Sequence, residues 1–262
     1  MLDPTPVHTN RRRALAFGAV ASDYDRFRPR YPQALIDRLA TRPGLRVLDV
    51  GAGTGILSAQ LAAAGADVLA VEPDEQMAAV GGSKGILYEC STFEDWQAGG
   101  RTFDLITFGQ SFHWVDPSVA LPKLAALLNP GGRLVLAWNR IKPAEPLRQE
   151  IESISAEFGA TTPAANSANN AETALQTLEG TSDFEVELIE VSENLHYAGE
   201  DWLSLVFTHS NHIILEPGIQ TELRQRLRTL IGDAGVSATN NALALDCSLR
   251  PELPGFSRPR RQ

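Results

Sequence analysis

The sequence predicts an α/β fold, a doubly wound and mostly parallel sheet of seven strands with a helical cap. Three observations lead there. Short apolar runs alternate with helical spacings from about Leu45 to Asn139. One run, "VLDVGAGTG" from Val47 to Gly55, passes straight from a strand into a glycine-rich turn. A second run, "ADVLAV", ends on an acid at Glu72, at the carboxyl edge where open α/β sheets bind ligands.

The elements follow in order. Pro32 to Thr41 carries Leu35, Ile36 and Leu39 at helical spacing. "LRVLDV" is the first buried strand, and the helix after it, from Thr54, stops at Gly65. "ADVLAV" is the second strand; Asp74 then caps a helix that Gly81 ends. "GILYEC" and "FDLITFG" are the third and fourth strands. Asp116 followed by Pro117 starts a helix with Leu121, Leu124, Leu127 and Leu128 on one face. "NPGG" closes it, and "RLVLAWN" is the fifth strand. Residues 144–159 read as helix. Gly159 to Glu172, rich in Ala, Asn and Thr, reads as a mobile loop. "FEVELIEV" alternates as a half-exposed strand, residues 200–210 and 217–233 as helices, and "NALALDC" as the last strand. The domain is expected over 22–248, with a cap segment at 22–42 and a lid insertion at 200–233. Flexible tails are expected at 1–21 and 249–262.

Composition narrows the function. The net charge is −9, which disfavours nucleic acid and anionic membranes as partners. No apolar run reaches the roughly 18 residues of a membrane span. Cys90 and Cys247 cannot form a disulfide scaffold; they read as free thiols of a cytoplasmic protein. "RRRALAFGAVAS" has the order of a secretory signal, but its apolar run is short and the segment after it has a better explanation below.

The glycine turn separates two cofactor classes. A dinucleotide turn reads G-x-G-x-x-G and seats a pyrophosphate at the helix N-terminus. Here the glycines are Gly51, Gly53 and Gly55, and Ile56 stands where the third glycine of that motif belongs. The spacing lets backbone approach an adenosyl group without building a pyrophosphate seat. Glu72 suits ribose hydroxyls in either class.

With these residues in view, the chain resembles the class I S-adenosylmethionine (SAM)-dependent methyltransferases. "VLDVGAGTG", "VEPDEQM" and "LNPGGRLVLAW" match the family's motifs, and the resemblance covers about residues 22–140. "ASDYDRFRPRYP" and "FGQSFHWVDP" are similar to the small-molecule subgroup that includes trans-aconitate methyltransferases, which argues that Tyr24 to Pro32 belongs to the enzyme. The resemblance implies a Rossmann-like fold with SAM as cofactor and a small-molecule acceptor, a carboxylate among the candidates. It puts Gly51, Gly53 and Gly55 at the cofactor turn, Asp49 near its ammonium end and Glu72 with Pro73 at the ribose. Met77, Thr92 and Phe93 fall at the adenine, and Gln110 at the methionine part. Where the family has Leu-Pro after the third strand, this chain has Asp95 and Trp96. Tyr24 and Arg28 belong to the segment folded over the site, with Arg28 a clamp for a carboxylate of cofactor or acceptor.

SAM carries an already activated methyl, so the enzyme aligns a nucleophile, excludes water and, for some acceptors, removes a proton. His113, at the sheet's carboxyl edge, is the candidate base; a structural histidine is the competing reading. Tyr31, Trp114, Trp138 and His209 are the candidate acceptor contacts. His209 and His212 stand three residues apart, but no third ligand has sensible spacing, so no metal is expected. Three other readings stay open: a methyltransferase acting on a macromolecule, a nicotinamide-dependent oxidoreductase and a non-catalytic SAM-binding regulator.

Overall fold

The computed structural model describes residues 15–160, 163–181 and 183–250. At its centre lies β1 (Arg46–Val50), paired in parallel with β2 (Asp67–Val71) on one side and β4 (Phe103–Gly109) on the other. β3 (Leu87–Glu89) extends the sheet beyond β2, and β5 (Leu128–Trp138) lies parallel to β4. β8 (Val236–Leu249) then runs antiparallel to β5 and pairs along its whole length with β7 (Phe184–Tyr197). All seven expected strands are present. An eighth, β6 (Ile141–Pro143), continues beside β8 where β5 leaves off.

Central strands buried on both faces need apolar residues at successive positions, and β1 supplies them. Leu48 and Val50 face one core with Ile106, Phe108, Leu134 and Leu136. Val47 faces the other with Leu105 and Val135. That second core is closed by α2 (Gln33–Leu39) and α3 (Ile56–Ala63) through Leu35, Ile36, Leu39, Leu57 and Leu61. α4 (Glu75–Gly82) starts at Asp74, whose carboxylate accepts from the amides of Gln76 and Met77. α5 (Pro117–Leu127) starts at Asp116, which accepts from the Ser118 amide. Both caps are where the sequence put them.

The stretch expected as a loop at Gly159 to Glu172 is instead largely helical. α7 spans Pro163–Glu179 and buries Ala171, Ala174 and Leu178 against the sheet. These lie at i, i+3 and i+7, a helical face that the Asn/Thr-rich composition obscured. The tail expected through residue 21 includes a 3₁₀ helix, Leu15–Val20, followed by α1 (Ala21–Phe27). Its Phe17 packs edge-on against Tyr24 and Trp114. Residues 1–14 and 251–262, where most of both expected tails and the signal-like basic run fall, lie outside the described residues. α6 (Leu147–Glu157), α8 (Gly199–Phe207), α9 (Ser210–Ile213) and α10 (Pro217–Ile231) complete the chain. α6, α8 and α10 share a third apolar cluster around Trp202, Leu205, Leu223 and Leu227. Among the described residues no helix is long and apolar enough to cross a membrane.

Candidate active site

The glycine turn sits at the carboxyl end of β1. Gly51, Gly53 and Gly55 all hold positive φ, 62°, 57° and 73°. A Cβ at Gly51 would lie 2.6 Å from the Cβ of Ser111, so both conformation and space demand glycine there. The turn's amides serve the chain itself. Those of Gly51 and Ala52 donate to the Val71 carbonyl at 2.8 and 3.2 Å, and that of Gly55 to the Ala52 carbonyl at 2.9 Å. The Gly53 amide donates to Glu72 Oε2 at 2.8 Å. A pyrophosphate seat needs such amides turned outward, so the turn fits a cofactor without phosphate there. Tyr88 braces it by donating its hydroxyl to the Gly53 carbonyl at 3.1 Å.

Two buried acids flank the turn. Glu72 also accepts from the Asp74 amide at 3.0 Å, and burial pushes its carboxyl up to about 7. Each Glu72 oxygen keeps a lone pair for a hydroxyl donor. Asp49 accepts from Ser58 Oγ at 2.5 Å and from Thr107 Oγ1 at 2.8 Å; burial raises it to about 6.

A cleft runs along this edge of the sheet. Its middle is walled by Glu72, Pro73, Met77, His113, Trp114 and Trp138. Thr92 and Phe93 line an adjoining lobe that shares Pro73, Ser111 and Trp114 with it. At the other end an inner recess gathers Asp49, Tyr24, Tyr31, Arg28 and Gln110. All of the sequence-predicted cofactor residues except Gly55 thus line adjoining parts of one trough. Tyr31, expected among acceptor contacts, is in this recess, its hydroxyl 3.4 Å from the Ala137 carbonyl. Trp96, at the departure from the family pattern, is buried and donates its Nε1–H to Glu89 at 2.5 Å.

The N-terminal segment is bolted over the trough. Lys84 bridges Asp25 of α1 and the Thr54 carbonyl of the glycine turn. Asn139 donates to the carbonyls of Pro29 and Arg30 at 3.3 and 3.4 Å and accepts from Asn240 at 2.9 Å. Arg28 reaches from this segment to α8, donating Nε–H to Thr208 Oγ1 at 2.9 Å and a terminal N–H to the Thr208 carbonyl at 3.0 Å. Its guanidinium lies over the Tyr24 ring at 4.6 Å. Among the described residues no carboxylate pairs with it, so it faces the cleft as an uncompensated cation.

Beyond Arg28 lies a second, mainly apolar cavity under α6, α8 and α9, walled by Ile141, Ile151, Trp202, Leu205, Val206 and His212. Sequence reasoning missed it because its walls come from four separated segments. It also missed Ser111, whose Oγ donates to the Val50 carbonyl at 2.5 Å beneath the turn. Gln110 stands at the junction with φ 58°, the one described non-glycine residue in the left-handed region. Among the described residues no group of three or more His, Cys, Asp or Glu side chains is gathered as for a metal.

Comparison with known proteins shows the family. A methyltransferase domain family model matches residues 24–155, just over half of the chain, and the chain belongs to that family. S-adenosylmethionine is the cofactor the family implies, and the phosphate-free turn fits it. An uncharacterised methyltransferase of Mycobacterium bovis is 40% identical over 136 residues, 50% of this chain and 55% of that protein. A ubiquinone biosynthesis O-methyltransferase of Parvibaculum lavamentivorans is 38% identical over 111 residues, 39% of this chain and 44% of that protein. The chain spans about half the length of the curated relatives it matches. A solved structure of a candidate type II methyltransferase from Anaeromyxobacter dehalogenans shares the fold. Its TM-score is 0.62 at 21% identity, covering 85% of this chain and 98% of that one.

Proposed function

We propose that this chain transfers the methyl group of SAM to a small organic acid. The observation that carries the reading is the junction itself. A trough without a phosphate seat meets an apolar cavity at Arg28, Gln110 and His209. When bound, SAM supplies a methyl activated by its sulfonium. Glu72 holds the ribose hydroxyls, with Pro73 beside them; Met77, Thr92 and Phe93 meet the adenine. Asp49, Tyr24, Tyr31 and Gln110 hold the methionine end. Trp114 and Trp138 wall the trough and exclude water, and His113 lies among these wall residues. Arg28, a cation without a partner carboxylate among the described residues, draws the acceptor's anionic group to the junction and fixes its orientation.

The net charge of −9 and a mainly apolar cavity under α6, α8 and α9 support a small acceptor over a macromolecule. The relative named for O-methylation in ubiquinone biosynthesis points the same way. The test is methyl transfer from methyl-labelled SAM into a cell extract, separated into small-molecule, lipid, protein and nucleic-acid fractions. Label is expected in the small-molecule fraction. Label confined to protein or nucleic acid, or failure to bind SAM, overturns the proposal.

A further inference from the structure

We propose that His209 is the catalytic base and that the atom methylated is a hydroxyl oxygen on an acceptor that also carries the carboxylate held by Arg28: the substrate class is an apolar hydroxy acid. The inference rests on the methyl-transfer reading above and assigns its acceptor.

The argument is one of position. A proton-accepting group must touch the acceptor where it meets the methyl, so it must border both the trough and the apolar cavity. Among the described residues four do: Arg28, Pro29, Gln110 and His209, and a proline ring accepts no proton. Arg28 is a permanent cation and an amide is no base. His113, the base expected from sequence, borders the trough but not the cavity.

His209 is also in the right form. Its Nδ1 lies 3.0 Å from the Leu205 carbonyl and 3.1 Å from that of Val206. Carbonyls accept only, so the proton is on Nδ1 and Nε2 presents its lone pair. Burial, and then the Arg28 cation beside it, hold the imidazole well below its ordinary pKa, so it is neutral in the free protein; an acceptor carboxylate paired with Arg28 offsets that cation and restores part of its basicity. The cavity wall adds further polar atoms. Trp202 Nε1 and His212 Nε2 are buried without a hydrogen-bond partner among the described residues. Trp202 has a donor to offer. His212 Nδ1 faces Asn211 Oδ1 at 3.0 Å, which leaves Nε2 as an acceptor. A ligand that both accepts and donates, as a hydroxy acid does, meets Trp202 and one of the two histidine acceptors; an unsubstituted carboxylate has no proton for either.

In the step, an oxygen–methyl bond forms as the sulfur–methyl bond breaks. The hydroxyl proton passes to His209 Nε2 and then to solvent, and the sulfonium leaves as a neutral thioether. Arg28 stabilises the oxyanion as it develops.

The test uses full-length protein, labelled SAM and a panel of aromatic and aliphatic hydroxy acids, each with its deoxy analogue. Expected are a methyl ether with the acid still free and no product from the deoxy acids. His209→Gln should lower kcat by about 100-fold or more with SAM affinity unchanged. A nitro-substituted phenolic acid, already ionised near neutral pH, should recover most of that loss, which a structural role would not allow. His209→Asn provides a second variant should the first fold poorly. A methyl ester product, equal rates on deoxy acids, or undiminished His209→Gln overturns the inference. So does SAM binding without transfer to any panel member. Absence of SAM binding overturns the underlying reading instead.

Discussion

Replacing Glu72 by glutamine tests the cofactor geometry most directly. In the folded protein this carboxyl titrates at about 7, against 4.5 for the ordinary group, because burial outweighs the amides of Gly53 and Asp74. Below the ordinary value both folded and unfolded chains are protonated and burial has no charge to penalise. Between the two values the unfolded chain has lost its proton and the folded one keeps it, so stability falls as pH rises. Above about 7 the full penalty of about 3 kcal/mol is present. Ribose hydroxyls donate to the ionised form, so SAM affinity should rise about tenfold from about pH 6 to about pH 8, with proton uptake by buffer at the lower value. Glu72→Gln removes the buried charge and leaves one amide badly paired; the two effects roughly cancel at about pH 8, and the free protein should melt near the wild-type temperature. Its SAM affinity should fall by about 1.5–3 kcal/mol, on the order of 10- to 150-fold, and lose most of its pH dependence. Comparing variant with wild type separates Glu72 from Asp49, which burial raises to about 6. Titration calorimetry at the two pH values, with thermal unfolding of the same samples, decides it. Wild-type affinity in the variant would refute the assignment of the ribose to Glu72.

Other outcomes follow from single contacts. Gly51→Ala forces a side chain into positive φ and into Ser111, 2.6 Å from its Cβ; a loss of roughly 1–3 kcal/mol in urea unfolding is expected, with weaker SAM binding. Asp74→Ala removes the cap that accepts from the Gln76 and Met77 amides and should cost about 1 kcal/mol in the same assay. Cys90 is exposed, whereas Cys247 is buried and its thiol is pushed up to about 12, so a thiol reagent should modify one cysteine in the native protein and both after denaturation. Rapid modification of both in the native state would contradict the packing of β8.

Much of the sheet was legible because its signals are local. A strand buried on both faces is largely apolar, as β1 is at Val47, Leu48 and Val50, its one buried acid Asp49 being satisfied by Ser58 and Thr107. Asp74 and Asp116 announce helix starts because a cap bonds amides only two or three residues away. α7 was misread because Asn and Thr suggested a loop, while its Ala171, Ala174 and Leu178 stripe acquires meaning only against the sheet it covers.

The residues at the junction divide in the same way. By itself the sequence determined the phosphate-free glycine spacing and the acid at Glu72, since a turn between a strand and a helix is fixed by φ preferences and by neighbours along the chain. It drew attention to His113, two residues past the turn of the fourth strand. Only the tertiary structure decided that the turn's amides point inward, that Arg28 reaches Thr208 across 180 residues, and that His209 stands with it between trough and cavity. The physical reason is that a buried cation, a neutral imidazole and the wall they share depend on which segments exclude water from one another, and those segments are far apart in the chain.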